Sequence, residues 1–267
     1  MDGVGPRAAL DRGIEAALQR DRWVVAASLG LIVGLAWLYL WRDAQAMSHM
    51  DMPGMSMEGM SHGTDAMALG LTFAMWAVMM TGMMLPSAAP AILLYGALVR
   101  KHGERGSVLP AAWIFTGGYL LVWTGFSVAA TLMQAMVDAS GLLTPTMASS
   151  SAYFSSALLI AAGVYQLLPL KEACLRKCRT PFEFFATRWR AGRSGALRMG
   201  LEHGAYCVGC CWVLMLLLFV AGVMNLLWVA LLAGLILAEK VLPRPEWTTR
   251  IASAALIVSG IVLLVRS

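Results

Sequence analysis

Apolar stretches of about 18 residues or more recur along the chain, parted by short polar or charged joints. The first runs from about Trp23 to Trp41. The second, about Met67 to Val99, is longer than one crossing needs and contains Pro86 and Pro90, which predicts a kink or a break. A third covers about Leu109 to Met136, a fourth about Ala152 to Leu170 and a fifth about Gly200 to Met224. Asn225 marks a tight turn into a sixth, about Leu226 to Ala238, and a seventh spans about Ile251 to Val265. Hydrocarbon offers no water to satisfy backbone groups, so such segments are helices that pair every N–H and C=O internally. The expected fold class is an all-α membrane protein, a polytopic helical bundle of about seven transmembrane helices.

The joints set the expected orientation. Residues 1–22 are charged and partly amphipathic, a cytoplasmic interfacial segment ahead of a first transmembrane helix at 23–46. Ala44-Gln45-Ala46 has the small-residue character of a cleavage site, but the apolar region is long and Arg42-Asp43 interrupts the approach. A retained helix is therefore expected. Basic joints at 100–105, 171–198 and 240–250 alternate with the joint at 47–66 and a neutral-to-acidic one near Asp138. An excess of Lys and Arg marks cytoplasmic loops, so the N-terminus is expected inside and residues 47–66 outside. Residues 67–267 form the remaining six-helix domain.

Composition sharpens this. Hydrophobic residues make up 59% of the 267, charged ones only 13%, and the mean hydropathy is +0.70, far from a soluble domain. The net charge of +5 therefore reads as basic loops beside anionic headgroups, and not as nucleic-acid binding. Five cysteines are clustered at 174, 178, 207, 210 and 211, an odd set unlike a secreted disulfide framework. Nineteen methionines are also placed unevenly.

The loop MSHMDMPGMSMEGMSHG brings His49, Met50, Met52, Met55, Met57, Met60 and His62 together among Gly, Ser and Pro, with Met47 at its start. Such spacing builds no packed core, whereas thioethers bind Cu(I) without having to lose a proton. The second span continues the theme in MWAVMMTGMMLPSAAP: Met75, Met79 and Met83 are i,i+4 neighbours, and Met80 and Met84 form a parallel pair. Methionine is an ordinary gap-filler in helical cores, but this run follows directly on the Met/His loop. In the fifth span, GLEHGAYCVGCCWVLM stacks His203, Cys207, Cys211 and Met215 at i,i+4, with Cys210 three residues after Cys207. Cys174 and Cys178 lie i,i+4 in KEACLRKCR. Topology puts all five cysteines near the reducing face, with Arg176, Lys177 and Arg179 as nearby cations that favour thiolate. Thiolate, imidazole and thioether suit Cu(I); zinc would accept the Cys and His but poorly explains the thioethers. Glu239-Lys240 reads as a membrane anchor, and Gly117-Gly118, Gly204 and Gly209 as sites of close helix packing.

At MWAVMMTGMMLPSAAP, GVYQLLPLKEACLRKCRTPFEF and GLEHGAYCVGCCWVLMLLLFVAGVMNLLWVALLAGLILAEK the chain resembles a bacterial family of predicted metal-binding integral membrane proteins. The likeness covers about residues 67–242. Some members are implicated in supplying copper to secreted or membrane copper oxidases. The resemblance implies copper handling at Met75, Met79, Met80, Met83, Met84, Cys174, Cys178, Cys207, Cys210 and Cys211. The Met/His loop separately resembles the outer Met motifs of eukaryotic high-affinity copper transporters, whose helix count differs.

The expectation is a non-enzymatic protein of the bacterial inner membrane that transports Cu(I) or delivers it to copper enzymes. Its outer loop would capture, its second-span methionines relay, and its inner Cys/His cluster hold. Its partners would be the bilayer and a copper-enzyme client or copper chaperone, with no nucleic acid. Two alternatives stand beside it: a membrane thiol-disulfide oxidoreductase, and an assembly factor for a copper oxidase that moves no ion.

Overall fold

The computed structural model describes residues 6–50, 66–101, 108–141, 148–243 and 245–267. Among them the regular structure is helical throughout: α1 (Pro6–Met50), α2 (Ala66–Lys101), α3 (Val108–Ala139), α4 (Ala152–Gln166), α5 (Pro169–Arg179), α6 (Pro181–Arg188), α7 (Gly192–Leu216), α8 (Leu218–Ala221), α9 (Leu226–Val241) and α10 (Pro245–Arg266).

Among the described residues, five helices are long and apolar enough to cross a membrane: residues 20–46 of α1, then α2, α3, α7 continued through α8, and α10 from Glu246. The fourth apolar stretch does not form one straight span. Pro169 has no N–H to offer and its ring crowds the preceding turn, so the helix stops after Gln166 and restarts at α5, bent by 64°. Counting that bent pair as one crossing gives six. Helix α9 has sixteen residues, a length of about 24 Å against a hydrocarbon core of about 30 Å. By length and composition alone, the described residues give five crossings, or six with the bent pair, and leave the count of seven open.

The basic stretch 171–198 is not an irregular loop. It forms the rest of α5, all of α6 and the first turns of α7, which begins at Gly192, eight residues ahead of the expected start. Short caps do the local work. Ser151 caps α4 by accepting from the Phe154 N–H at 3.3 Å. Gly222 turns with a φ of 96°, and Asn225 then caps α9 by accepting from Trp228 N–H at 3.2 Å.

Helix α3 is central, packed against α7 on one side and α2 on the other, with α1 outside α2. Helix α5 lies along α7, and α4 pairs with α10. The closest crossing is at Gly118 and Gly200, whose Cα atoms lie so near that a Cβ built on Gly200 would be 2.1 Å from the Phe115 carbonyl oxygen. Gly117, its neighbour in the sequence, faces open space. Large apolar side chains such as Leu31, Leu121, Leu132 and Ile261 stay exposed on the outside, as helices facing lipid tails require.

Helix α2 runs unbroken through both prolines. Pro86 deprives the Gly82 carbonyl of its helical donor, and the indole N–H of Trp37 on α1 replaces it at 3.3 Å. Trp37→Phe is therefore expected to destabilise the protein by about 1 kcal/mol, the net worth of one hydrogen bond. In a Pro86→Ala background, where the helix supplies its own donor, the same change should cost much less. Thermal midpoints of the four proteins in detergent close that cycle.

Candidate metal centre

On α7 a charged layer gives way to a sulfur-rich interior within two turns. Glu202 sits among Arg188 and Arg190, each at 3.2 Å, and Arg198 at 3.7 Å. One residue on, His203 is buried among the rings of Phe115, Tyr119 and Phe184, with centroids 5.6 to 6.0 Å away. Its Nδ1 is buried without a hydrogen-bond partner among the described residues. Cys207 follows five residues after Glu202, about 7.5 Å deeper along the helix axis. Cys207, Cys210 and Cys211 are all at most 1% exposed.

Helix α5 brings the other two cysteines alongside. Gly209 leaves room for Cys174, whose Sγ lies where a Cβ on residue 209 would come within 2.8 Å. Cys178 is buried close to Cys207 and Cys210. All five are free thiols. Four of them, Cys178, Cys207, Cys210 and Cys211, lie near enough to influence one another electrostatically. Both Cys210 and Cys211 donate to the Cys207 carbonyl at 3.0 Å. With the thiols turned toward that carbonyl, the described residues contain no group of three or more His, Cys, Asp or Glu side chains placed to hold a metal ion. A thioether enters instead. Met84 Sδ on α2 is 4.0 Å from Cys211 Sγ, so the two sulfur series meet across the bundle.

The other methionines of that series, Met75, Met79, Met80 and Met83, are likewise buried on α2. From Met75 to Met84 the helix rises about 13 Å, toward the cysteines. Met215, one turn beyond Cys211, is buried too. The expected outer ligands cannot be placed: Met52, Met55, Met57, Met60 and His62 lie outside the described residues, as do the side chains of His49 and Met50.

Three polar side chains complete the centre, and none of them was assigned to it from the sequence. Tyr119 on α3 donates to the Met84 carbonyl at 3.1 Å and lies 3.1 Å from Cys207 Sγ. Ser87 on α2 donates to the same carbonyl at 2.8 Å. Lys240 on α9 donates to Ser87 Oγ at 2.8 Å and to Cys207 Sγ at 3.0 Å. The cation on the thiols is therefore Lys240 rather than the expected residues of α5. Of those, Lys177 pairs with Glu183 at 3.4 Å, while Arg176 and Arg179 line a surface groove of about 490 Å³.

Glu239-Lys240 is thus no interfacial anchor. Consecutive helical residues point about 100° apart, so Glu239 turns to α5 while Lys240 turns to α7. Lys171, expected in a solvated basic loop, is 1% exposed and grips both Glu239 carboxylate oxygens at 2.7 and 2.8 Å. Gln166 donates to Glu239 as well, at 2.9 Å. The only sequence signal for this was the presence of Glu and Lys inside an otherwise apolar run, since intramembrane charges are paired and functional by default.

The fold and the centre define a class: an all-helical membrane protein whose packed interior joins thiols to thioethers, the donor chemistry of soft monovalent metals. The chain belongs to the PpoB2 copper chaperone family, whose model matches residues 73–263. That range takes in the methionines of α2, both cysteine groups, Lys171, Glu239 and Lys240, and excludes the Met/His loop. Neither the curated proteins nor the solved structures yield a match.

Proposed function

We propose that this protein is an integral membrane Cu(I) carrier that transports the ion or delivers it to copper enzymes. The observation that carries this is the 4.0 Å approach of Met84 Sδ to Cys211 Sγ, which turns two separate motifs into one series of soft donors. The copper chaperone family supports the choice of cargo. Residues 47–66 capture the ion outside a bacterial inner membrane, and Met75, Met79, Met80 and Met83 hand it down α2 to Met84. Cys207, Cys210 and Cys211, with Cys178, Cys174 and His203 beside them, then hold it. The unpartnered His203 Nδ1 offers a nitrogen donor one turn from Cys207. In this reading α9 and the bent pair α4–α5 complete seven membrane passes, with the N-terminus in the cytoplasm. The protein is not an enzyme; its client is a copper enzyme or another chaperone. Zinc fits less well, because thioethers add little for it.

Anaerobically purified protein is expected to take up Cu(I) or Ag(I) in stoichiometric amount. Cys207→Ser with Cys211→Ser is expected to weaken uptake at least tenfold, the order of loss that even supporting groups around a metal cause. Elemental analysis with competing chelators reads both. Uptake of neither ion by the wild-type protein would overturn the proposal. Uptake without flux in proteoliposomes would select the assembly-factor role, and a copper-independent disulfide in thiol trapping would select the oxidoreductase.

A further inference from the structure

We infer that Lys240 sets the charge selectivity of this centre, making it a site for a monovalent ion; the inference rests on the copper reading above. The side chain is half-buried and reaches from α9 to Cys207, the thiol that touches Tyr119 and is influenced electrostatically by Cys178, Cys210 and Cys211. Its polar partners among the described residues are Cys207 and Ser87. The carboxylate next to it in the sequence is unavailable, because Glu239 is engaged by Lys171 and Gln166. Lys240 therefore places one unit of positive charge 3.0 Å from the central sulfur, with no acidic side chain among the described residues bonded to it.

Its position is fixed, not incidental. Ser87 donates its own proton to the Met84 carbonyl, so its oxygen is left to accept from the ammonium. Tyr119 closes the circuit by reaching both that carbonyl and Cys207. The circuit runs through Met84, the residue whose thioether meets Cys211. An ion passing from α2 to α7 arrives where the ammonium sits.

Charge decides which ions are tolerated there. Coulomb repulsion from the ammonium is twice as large for a divalent ion as for a monovalent one at the same distance. If the lysine swings aside, Cu(I) replaces one positive charge beside the sulfur with another. Zn(II) adds a second charge to a poorly solvated interior, where uncompensated charge is costly. Lys240 is thus a positioning and specificity residue that acts on the ion through Cys207. The thiols alone would accept zinc readily.

The test is a competition on the full-length protein in detergent, without oxygen, between Ag(I), as a redox-inert stand-in for Cu(I), and Zn(II). Lys240→Gln removes the charge and keeps a donor for Ser87; it is expected to shift the ratio of affinities toward Zn(II) by about tenfold or more, as removal of a repulsive element does. Lys240→Arg keeps the charge and is expected to hold the ratio near that of the wild type. A merely structural role would lower both affinities together and leave the ratio alone, and that result overturns the inference. Should Lys240→Gln fail to fold, Ser87→Ala decides: it frees the ammonium from its anchor and is expected to move the ratio the same way, less far, whereas no movement overturns the inference. If the wild-type protein takes up neither Cu(I) nor Ag(I), the copper reading fails and this falls with it; uptake with an unmoved ratio sinks the selectivity role alone.

Discussion

Glu239→Leu is expected to be the most damaging single exchange of a charged residue in the chain. It strands the Lys171 ammonium, 1% exposed and otherwise held on both carboxylate oxygens, in the buried contact between α5 and α9. Removing one member of such a pair costs about 3–5 kcal/mol, a large share of the roughly 5–15 kcal/mol that holds a typical domain together. The variant is expected to yield little folded protein, and what is recovered should melt well below the wild type in detergent. Replacing both partners at once, Lys171→Leu with Glu239→Leu, should recover most of the loss, because a dry pair exchanged for packed apolar groups is often neutral or better. A double variant as unstable as the single one would mean that Gln166 and the bend at Pro169, rather than the ion pair, hold α5 against α9.

Gly200→Ala carries the second large effect. The added methyl would come within 2.1 Å of the Phe115 carbonyl oxygen and 3.2 Å of the Gly118 Cα. Those atoms are backbone, so relief requires α3 and α7 to move apart. Overpacking against atoms that can shift costs about 1–3 kcal/mol; against two helix backbones the cost is expected to reach about 3 kcal/mol or more. The separation also pulls Tyr119 from Cys207, so the affinity for Ag(I) should fall with the stability. Gly117→Ala, on the open side of the same helix, is expected to change neither. Melting and Ag(I) titration of the two variants side by side make the comparison, and equal behaviour would deny the crossing its role.

These residues also show what the sequence alone could and could not reveal. Helices, sulfur stripes and the relation of Cys207 to Cys211 follow from apolar length and i,i+4 spacing, which are local properties. Phase is less accessible: Gly117 and Gly118 are equivalent in the sequence, and only the rotation of α3 against α7 decides which one meets a backbone. The Lys171–Glu239 pair was hidden for another reason. Its partners are 68 residues apart, and Lys171 turns inward only because Pro169 redirects the helix. Lys240 was misread because a charge at the end of an apolar run is most simply satisfied by headgroups. Helix length alone does not reach the expected count of seven passes, because the fourth apolar stretch breaks at Pro169 and the sixth is the sixteen-residue α9.

Trp37 lies ahead of the stretch that matches the family, yet its indole lends a proton to a carbonyl between Met80 and Met83. The methionine-bearing helix thus depends on a crutch standing outside the matched stretch. A version cut to begin at residue 67 would leave that oxygen bare in oil, at the midpoint of the route assigned to the ion. On the proposed reading, the first helix is a splint for the path.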